Sequence, residues 1–221
     1  PDVIAIGSST GGPQALIALL HDLPRGIKTP ILITQHLPAT FTAIFAQNIA
    51  KAAGRACAEG QDGEEIRSGQ IYVAPGGFHM LVEKKGSANV IRITSDPPEN
   101  FCRPAVDPMF RAVAKVYGRN VLAVILTGMG RDGAAGGKAI VDAGGTVIAQ
   151  DEATSIVWGM PGAAAEAGIC SKILPLPEIA PLNVGVTTVS IVPFPRKAIG
   201  PLIVVGAVVR SVPPSKVRLP P

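Results

Sequence analysis

The chain has 221 residues, 47% of them hydrophobic and 16% charged, with 25 Gly and 21 Pro. That length suits one large domain or two small ones, and a hydrophobic share near half excludes wholesale disorder. The formal charge of +4 invites a nucleic-acid reading, but it is unevenly placed: residues 1–178 carry a net of −1, and Arg196, Lys197, Arg210, Lys216 and Arg218 supply +5 beyond Glu178. The basic excess belongs to the tail, so neither nucleic acid nor a membrane surface is an expected partner. Three scattered cysteines, with no CxxC and no Cys/His cluster, argue against a disulfide framework and a zinc site. Pro1-Asp2-Val3-Ile4 is neither a signal peptide nor an initiator-Met start, and reads as the beginning of a fragment. No apolar run approaches the ~20 residues that span a bilayer.

In chain order, Val3–Ile6 reads as a strand followed by Gly7-Ser8-Ser9-Thr10-Gly11-Gly12. Pro13 suits the first turn of a helix whose apolar face is Leu16, Leu19, Leu20 and Leu23. Ile31–Thr34 is a second strand, and Phe41, Ile44, Phe45 and Ile49 recur at helical spacing. Three strands are expected next, at Gln70–Ala74, Met80–Glu83 and Val90–Thr94, forming an antiparallel hairpin or meander. Asp107–Tyr117 resumes as a helix. Val121–Leu126 is a fully apolar strand, followed by Gly128-Met129-Gly130-Arg131-Asp132-Gly133, a helix near Ala134–Ala143 and a strand at Thr146–Ala149. Strands alternating with helices predict an α/β fold: a doubly wound, mostly parallel, Rossmann-like sheet flanked by helices, with the antiparallel hairpin or meander appended. Residues 181–221 hold 8 prolines, no acid and no clear period, and are expected to lie outside the domain formed by residues 1–180.

Gly7-Ser8-Ser9-Thr10-Gly11 fits the G-x-S-x-G elbow between a strand and a helix, which lifts the central serine at the strand's end. The helix that follows aims free N–H groups at the same spot, which suits an oxyanion. The same geometry serves a phosphate loop, so a nucleotide- or phosphate-binding module using Ser8–Gly12 is an equal reading of this segment alone. Of three histidines, His36 stands out because it follows the second strand by two residues, at the carboxyl end where ligands bind in such sheets. His21 is expected to cap a helix or face solvent, and His79 to pack in the hairpin. Asp132 follows the most apolar strand and can orient an imidazole; an Asx-turn or helix cap is the ordinary role of such an Asp. Arg103, in a loop before Pro104, is a possible substrate contact, against the ordinary reading of a solvated arginine. Phe101 and Met129 could offer apolar contact, although residues of these types more often belong to a core.

The segments VIAIGSSTGGPQAL, ITQHLPATFTAIFA, IYVAPGGFHM, RPAVDPMF and ILTGMGRDGAAG occur in the order and spacing of the catalytic domain of the CheB-type chemotaxis protein-glutamate methylesterases. The chain resembles that family over about residues 2–180. The resemblance implies a serine hydrolase with Ser9 as nucleophile, His36 as general base and Asp132 as its orienting acid. It further implies that Thr10 and Met129 line the site, with the Met129 N–H in the oxyanion hole. The implied substrates are glutamate γ-methyl esters, and specific glutamines, on the cytoplasmic helices of chemoreceptors. The implied location is the cytoplasm, with no cofactor and no metal. The family's gating partner is an N-terminal receiver domain, which these 221 residues do not include. Two departures stand out: Ser8 where the family often has Ala, and Ala105 where a Ser is common.

Overall fold

A computed structural model describes residues 1–24 and 26–185, with side chains as far as residue 180. The basic, proline-rich tail expected after residue 180 therefore lies, beyond residue 185, outside the described residues.

The strands β1 (Val3–Ser8), β2 (Ile31–Gln35), β3 (Cys57–Glu59), β4 (Ile71–Val73), β7 (Val121–Ile125), β8 (Thr146–Gln150) and β9 (Lys172–Leu174) form one sheet in the order β3-β4-β2-β1-β7-β8-β9. Every pairing in it is parallel. The central strands are buried on both faces, which is why they read as unbroken apolar runs rather than as alternating ones. Alternate residues still choose opposite faces. Val3, Ala5, Leu32, Ala123 and Ile125 pack on one side, with α3 (Val106–Tyr117), α4 (Ala134–Asp142) and α5 (Met160–Glu166). Ile4, Ile6, Ile31, Ile33 and Val124 pack on the other, with α1 (Gly12–His21), α2 (Ala39–Ala53) and α6 (Leu176–Gly185).

Two strands stand apart: β5 (His79–Lys85) and β6 (Ala88–Thr94) form an antiparallel hairpin whose Met80, Val82 and Ile91 pack on the α3 side. The expected three-stranded appendage is thus a hairpin only. Ile71–Val73 joins the main sheet between β2 and β3, because its three residues are all buried and carry no alternation. The edge strands β3 and β9, of three residues each, and the small-residue helix α5 have too little periodicity to stand out in the sequence.

Candidate functional site

β1 pairs with β2 on one side and β7 on the other, so the winding direction reverses at β1. The carboxyl ends of these strands bound the crevice in which a doubly wound sheet binds ligands. Ser9 follows β1 directly, His36 follows β2 directly, and Leu126–Gly133 connects β7 to α4. The register seats the first two side by side: Ser8 pairs with Gln35, and the His36 N–H donates to the Ser8 carbonyl at 3.2 Å. Across the other seam the Ser9 N–H donates to the Thr127 carbonyl at 3.0 Å.

Ser9 is held by its backbone. Its carbonyl accepts from the Gly12 N–H at 2.8 Å and from Gln35 Nε2 at 2.9 Å. Gly11 makes the turn into α1 at φ 79°, a conformation that favours glycine. Gly128 passes so near that a Cβ there would lie 2.8 Å from Ser9 Cβ and would also strike Met160 Sδ. The neighbouring Ser8 hydroxyl is buried and donates to Gln35 Oε1 at 2.7 Å, so the second hydroxyl of the motif is already engaged. Among the described residues, Ser9 Oγ makes no hydrogen bond, and none joins it to His36.

His36 and Asp132 do meet. Nε2 lies 2.7 Å from Asp132 Oδ2, which leaves Nδ1 as the other ring nitrogen, 3.4 Å from Cys102 Sγ. Asp132 is 1% exposed and receives four further donors: the N–H groups of Val106 (2.6 Å), Asp107 (2.9 Å) and Gly133 (3.0 Å), and Asn100 Nδ2 (2.9 Å). Burial alone would raise its pKa; the hydrogen bonds from His36, Val106 and Asp107, with the His36 charge, outweigh that and hold the carboxyl below its ordinary value. An ionised Asp132 accepts only, so Nε2 carries a proton, and in the neutral ring Nδ1 is the acceptor nitrogen, facing the Cys102 thiol. Burial, then the Asp132 charge, pushes the Cys102 thiol up. Asp132 does cap a helix, but that helix is α3, not the α4 that follows it, and the Ala134 N–H goes to the Arg131 carbonyl rather than into an Asx turn.

The other expected residues are distributed around this pair. Thr10 is exposed, and its carbonyl accepts from the buried Thr127 hydroxyl at 2.9 Å. Met129 is 72% exposed and therefore belongs to no core. Among the described residues, the backbone N–H groups of Thr10 and Met129 donate to no protein acceptor. Phe101 is likewise no core residue, being fully exposed. Arg103 uses Nη1 to bind the carbonyls of Ser95 (2.9 Å) and Asp96 (3.1 Å), yet lines a cavity beside His36 together with Leu37, Cys102 and Pro104. His79 is buried, with Nδ1 receiving the Ala105 N–H and Nε2 donating to the Pro97 carbonyl, as befits a packing role. His21 is exposed beside Asp22. Ala105 sits buried before α3.

Four participants have roles that the sequence does not show, although Gln35 and Asp107 lie within the family-like segments: Gln35, which clamps Ser9; Asn100 and Asp107, which brace Asp132; and Cys102. Each acts through a long-range contact that no local spacing announces. Among the described residues, no group of three or more His, Cys, Asp or Glu could hold a metal ion, and no helix is long and apolar enough to cross a membrane.

The family model described as CheB methylesterase matches residues 4–182. A curated relative from Paramagnetospirillum magneticum, named protein-glutamate methylesterase/protein-glutamine glutaminase 1, is 65% identical over 182 residues, covering 82% of this chain and 48% of its own length. A relative of the same name from Rhodospirillum rubrum is 61% identical, covering 81% and 47%. The chain thus spans about half the length of the curated relatives it matches. Among solved structures, the CheB methylesterase catalytic domain of Thermotoga maritima superposes with a TM-score of 0.80 at 37% identity, covering 81% of this chain and 95% of that one.

Proposed function

The chain belongs to the CheB methylesterase family, and on that premise we propose that residues 1–180 are a serine hydrolase domain that cleaves glutamate γ-methyl esters on chemoreceptor helices. Deamidation of specific glutamines there is its second reaction. The observation that supports this reading most is the hydrogen bond of His36 to the buried Asp132, with His36 and Ser9 each one residue beyond the last β1–β2 register pair.

In this reading Ser9 Oγ attacks the ester carbonyl while His36 takes its proton. Nε2 is committed to Asp132, so Nδ1 is the nitrogen that accepts it. The carbonyl oxygen becomes an oxyanion, and the Met129 N–H, which has no acceptor of its own among the described residues, donates to it, with Thr10 beside it. Such a donor contributes about 3–4 kcal/mol to transition-state stabilisation. His36 returns the proton to the leaving methoxide, and methanol departs. Water, deprotonated at Nδ1, then opens the acyl-enzyme to give glutamate. Asp132 stays ionised throughout and stabilises the imidazolium. Arg103, with guanidinium nitrogens beyond Nη1 still available, is a candidate contact for acidic or amidated side chains of the receptor. The partners are the cytoplasmic receptor helices and a receiver domain outside these residues, and the setting is the cytoplasm.

Methanol release from methylated receptor membranes tests the reading. The wild-type chain releases methanol, and Ser9→Ala and His36→Gln do not. A fluorophosphonate separates this reading from a phosphate-binding module, since only an activated serine labels covalently. Retention of near-normal methanol release by Ser9→Ala overturns the assignment.

A further inference from the structure

Glu99–Cys102 is a tight two-residue turn. The Glu99 N–H donates to the Cys102 carbonyl at 3.1 Å, and the Cys102 N–H returns to the Glu99 carbonyl at 2.9 Å. Its central residues, Asn100 and Phe101, both have positive φ, 52° and 62°. Turns of this kind favour Asn followed by Gly, because a side chain at positive φ crowds its own backbone. Asn100 suits its place; a phenylalanine at the glycine position is strained.

No packing compensates for that strain. Phe101 has a relative exposure of 103%, so its ring touches almost nothing in the described residues. Its neighbours, by contrast, are anchored in the site: Asn100 donates to Asp107 and Asp132, and Cys102 lies against His36. A strained backbone carrying a solvated aromatic ring, one residue from a group that touches His36, is a costly arrangement that the isolated domain does not use. Two other exposed apolar side chains rise from loops at the same strand ends, Met129 after β7 and Ile156 after β8, the latter adjacent to the Gly11 turn.

We propose that Phe101 is a substrate-contact residue, which buries its ring against an apolar side chain of the protein that carries the scissile glutamate ester. The inference rests on the hydrolase reading above. It adds that the domain selects a macromolecular ester through a preformed aromatic projection, while the ester chemistry stays with Ser9, His36 and Asp132. The occupant is protein rather than a small ester, because the fully exposed ring is not among the residues that line the cavity beside His36 and needs a partner with apolar surface of its own.

The test is the pair of variants Phe101→Gly and Phe101→Leu. Glycine removes the ring and relieves the turn, so the thermal midpoint of Phe101→Gly stays level or rises. With methylated receptor membranes its KM increases by about tenfold or more, the scale expected for one buried aromatic side chain, while kcat stays within about twofold. Phe101→Leu restores part of the loss. A KM within about twofold of wild type for Phe101→Gly, or a lowered thermal midpoint, overturns the proposal. Fluorophosphonate labelling of the wild-type chain and its absence in Ser9→Ala report on the hydrolase reading separately. Failure of labelling sinks that reading, whereas intact labelling with an unmoved KM sinks the role of Phe101 alone.

Discussion

Asp107 and Asp132 cap each other's helices. Asp132, which precedes α4, accepts the Val106 and Asp107 N–H groups at the start of α3 at 2.6 and 2.9 Å. Asp107, in the first turn of α3, accepts the Gly133 and Gly136 N–H groups at the start of α4 at 3.0 and 2.6 Å. Neither helix has a side-chain cap from its own N-cap residue, Ala105 or Gly133. Asn100 Nδ2 bridges the two carboxylates at 2.9 Å each. The carboxylate that orients His36 is therefore fixed by the packing of two helices, and its position is a property of the fold.

One consequence concerns stability. Asp107→Ala strands the buried Gly136 N–H at the start of α4, while the Gly133 N–H keeps its bond to Asp132, and loss of such a cap costs about 1–2 kcal/mol. We expect urea unfolding to shift to lower denaturant by roughly that amount with an unchanged m-value. An unshifted curve means that water or another group satisfies α4 instead.

Asp132 and Asn100 are expected to separate chemistry from structure. Asp132→Asn keeps the shape of the cap but removes the negative partner of Nε2 and permits the wrong tautomer, so kcat falls by about three to four orders of magnitude. Its circular dichroism stays native. Asn100→Gly keeps the left-handed backbone and removes only the amide that ties the two carboxylates together. It lowers kcat by a smaller factor, roughly ten, with KM nearly unchanged. Equal kcat for Asn100→Gly and wild type shows that the backbone donors alone hold Asp132.

The pH dependence of stability follows from the two carboxyls in opposite senses. Asp132 lies below its ordinary value in the fold, so its contribution is present above the unfolded pKa of about 3.9 and is lost as pH falls through the lower folded value. Asp107 is raised, by burial above all and also by the Asp132 charge, which exceed the lowering from its bonds to Gly136 and Asn100. Its contribution is largest in acid and declines as pH rises through the raised folded value. The stability difference between wild type and Asp132→Ala should therefore narrow as pH is lowered from 6 to ~3, while that for Asp107→Ala should not narrow. Urea titrations across that range decide it, and parallel narrowing in both variants contradicts the assignment.

Much of this site is legible in the sequence because Ser9 and His36 follow strands directly and Asp132 lies in the loop after a third. A β-branched run ending in Gly-Ser-Ser-Thr-Gly, another ending in Gln-His, and a third ending in Gly-rich loop and Asp each carry a local signature, and parallel pairing brings their ends together. The doubly wound class is legible for the same reason. The bracing roles of Asn100, Asp107 and Gln35 are not, since their partners lie 7–32 residues away in sequence and are brought close only by helix packing and sheet register. Phe101 and Met129 mislead in the other direction: their residue types predict burial, and loop geometry exposes them. β4 misleads because three buried residues carry no period by which a sheet strand differs from a hairpin strand.

The last prediction concerns where the domain ends. The composition break near Glu178 places the boundary at residue 180, but α6 runs through it, from Leu176 to Gly185. Ile179 and Ala180 are fully buried in the core that α1 and α2 share with the sheet. Removing a buried isoleucine alone costs about 2–5 kcal/mol. A chain ending at residue 175 should therefore unfold at markedly lower urea than one ending at residue 185. The chain ending at 185 should match the full 221 residues in both unfolding midpoint and methanol release, because the family match itself stops at residue 182. If removal of residues 186–221 lowers either quantity, the basic tail belongs to the working domain, and its charge must be counted in any account of receptor binding.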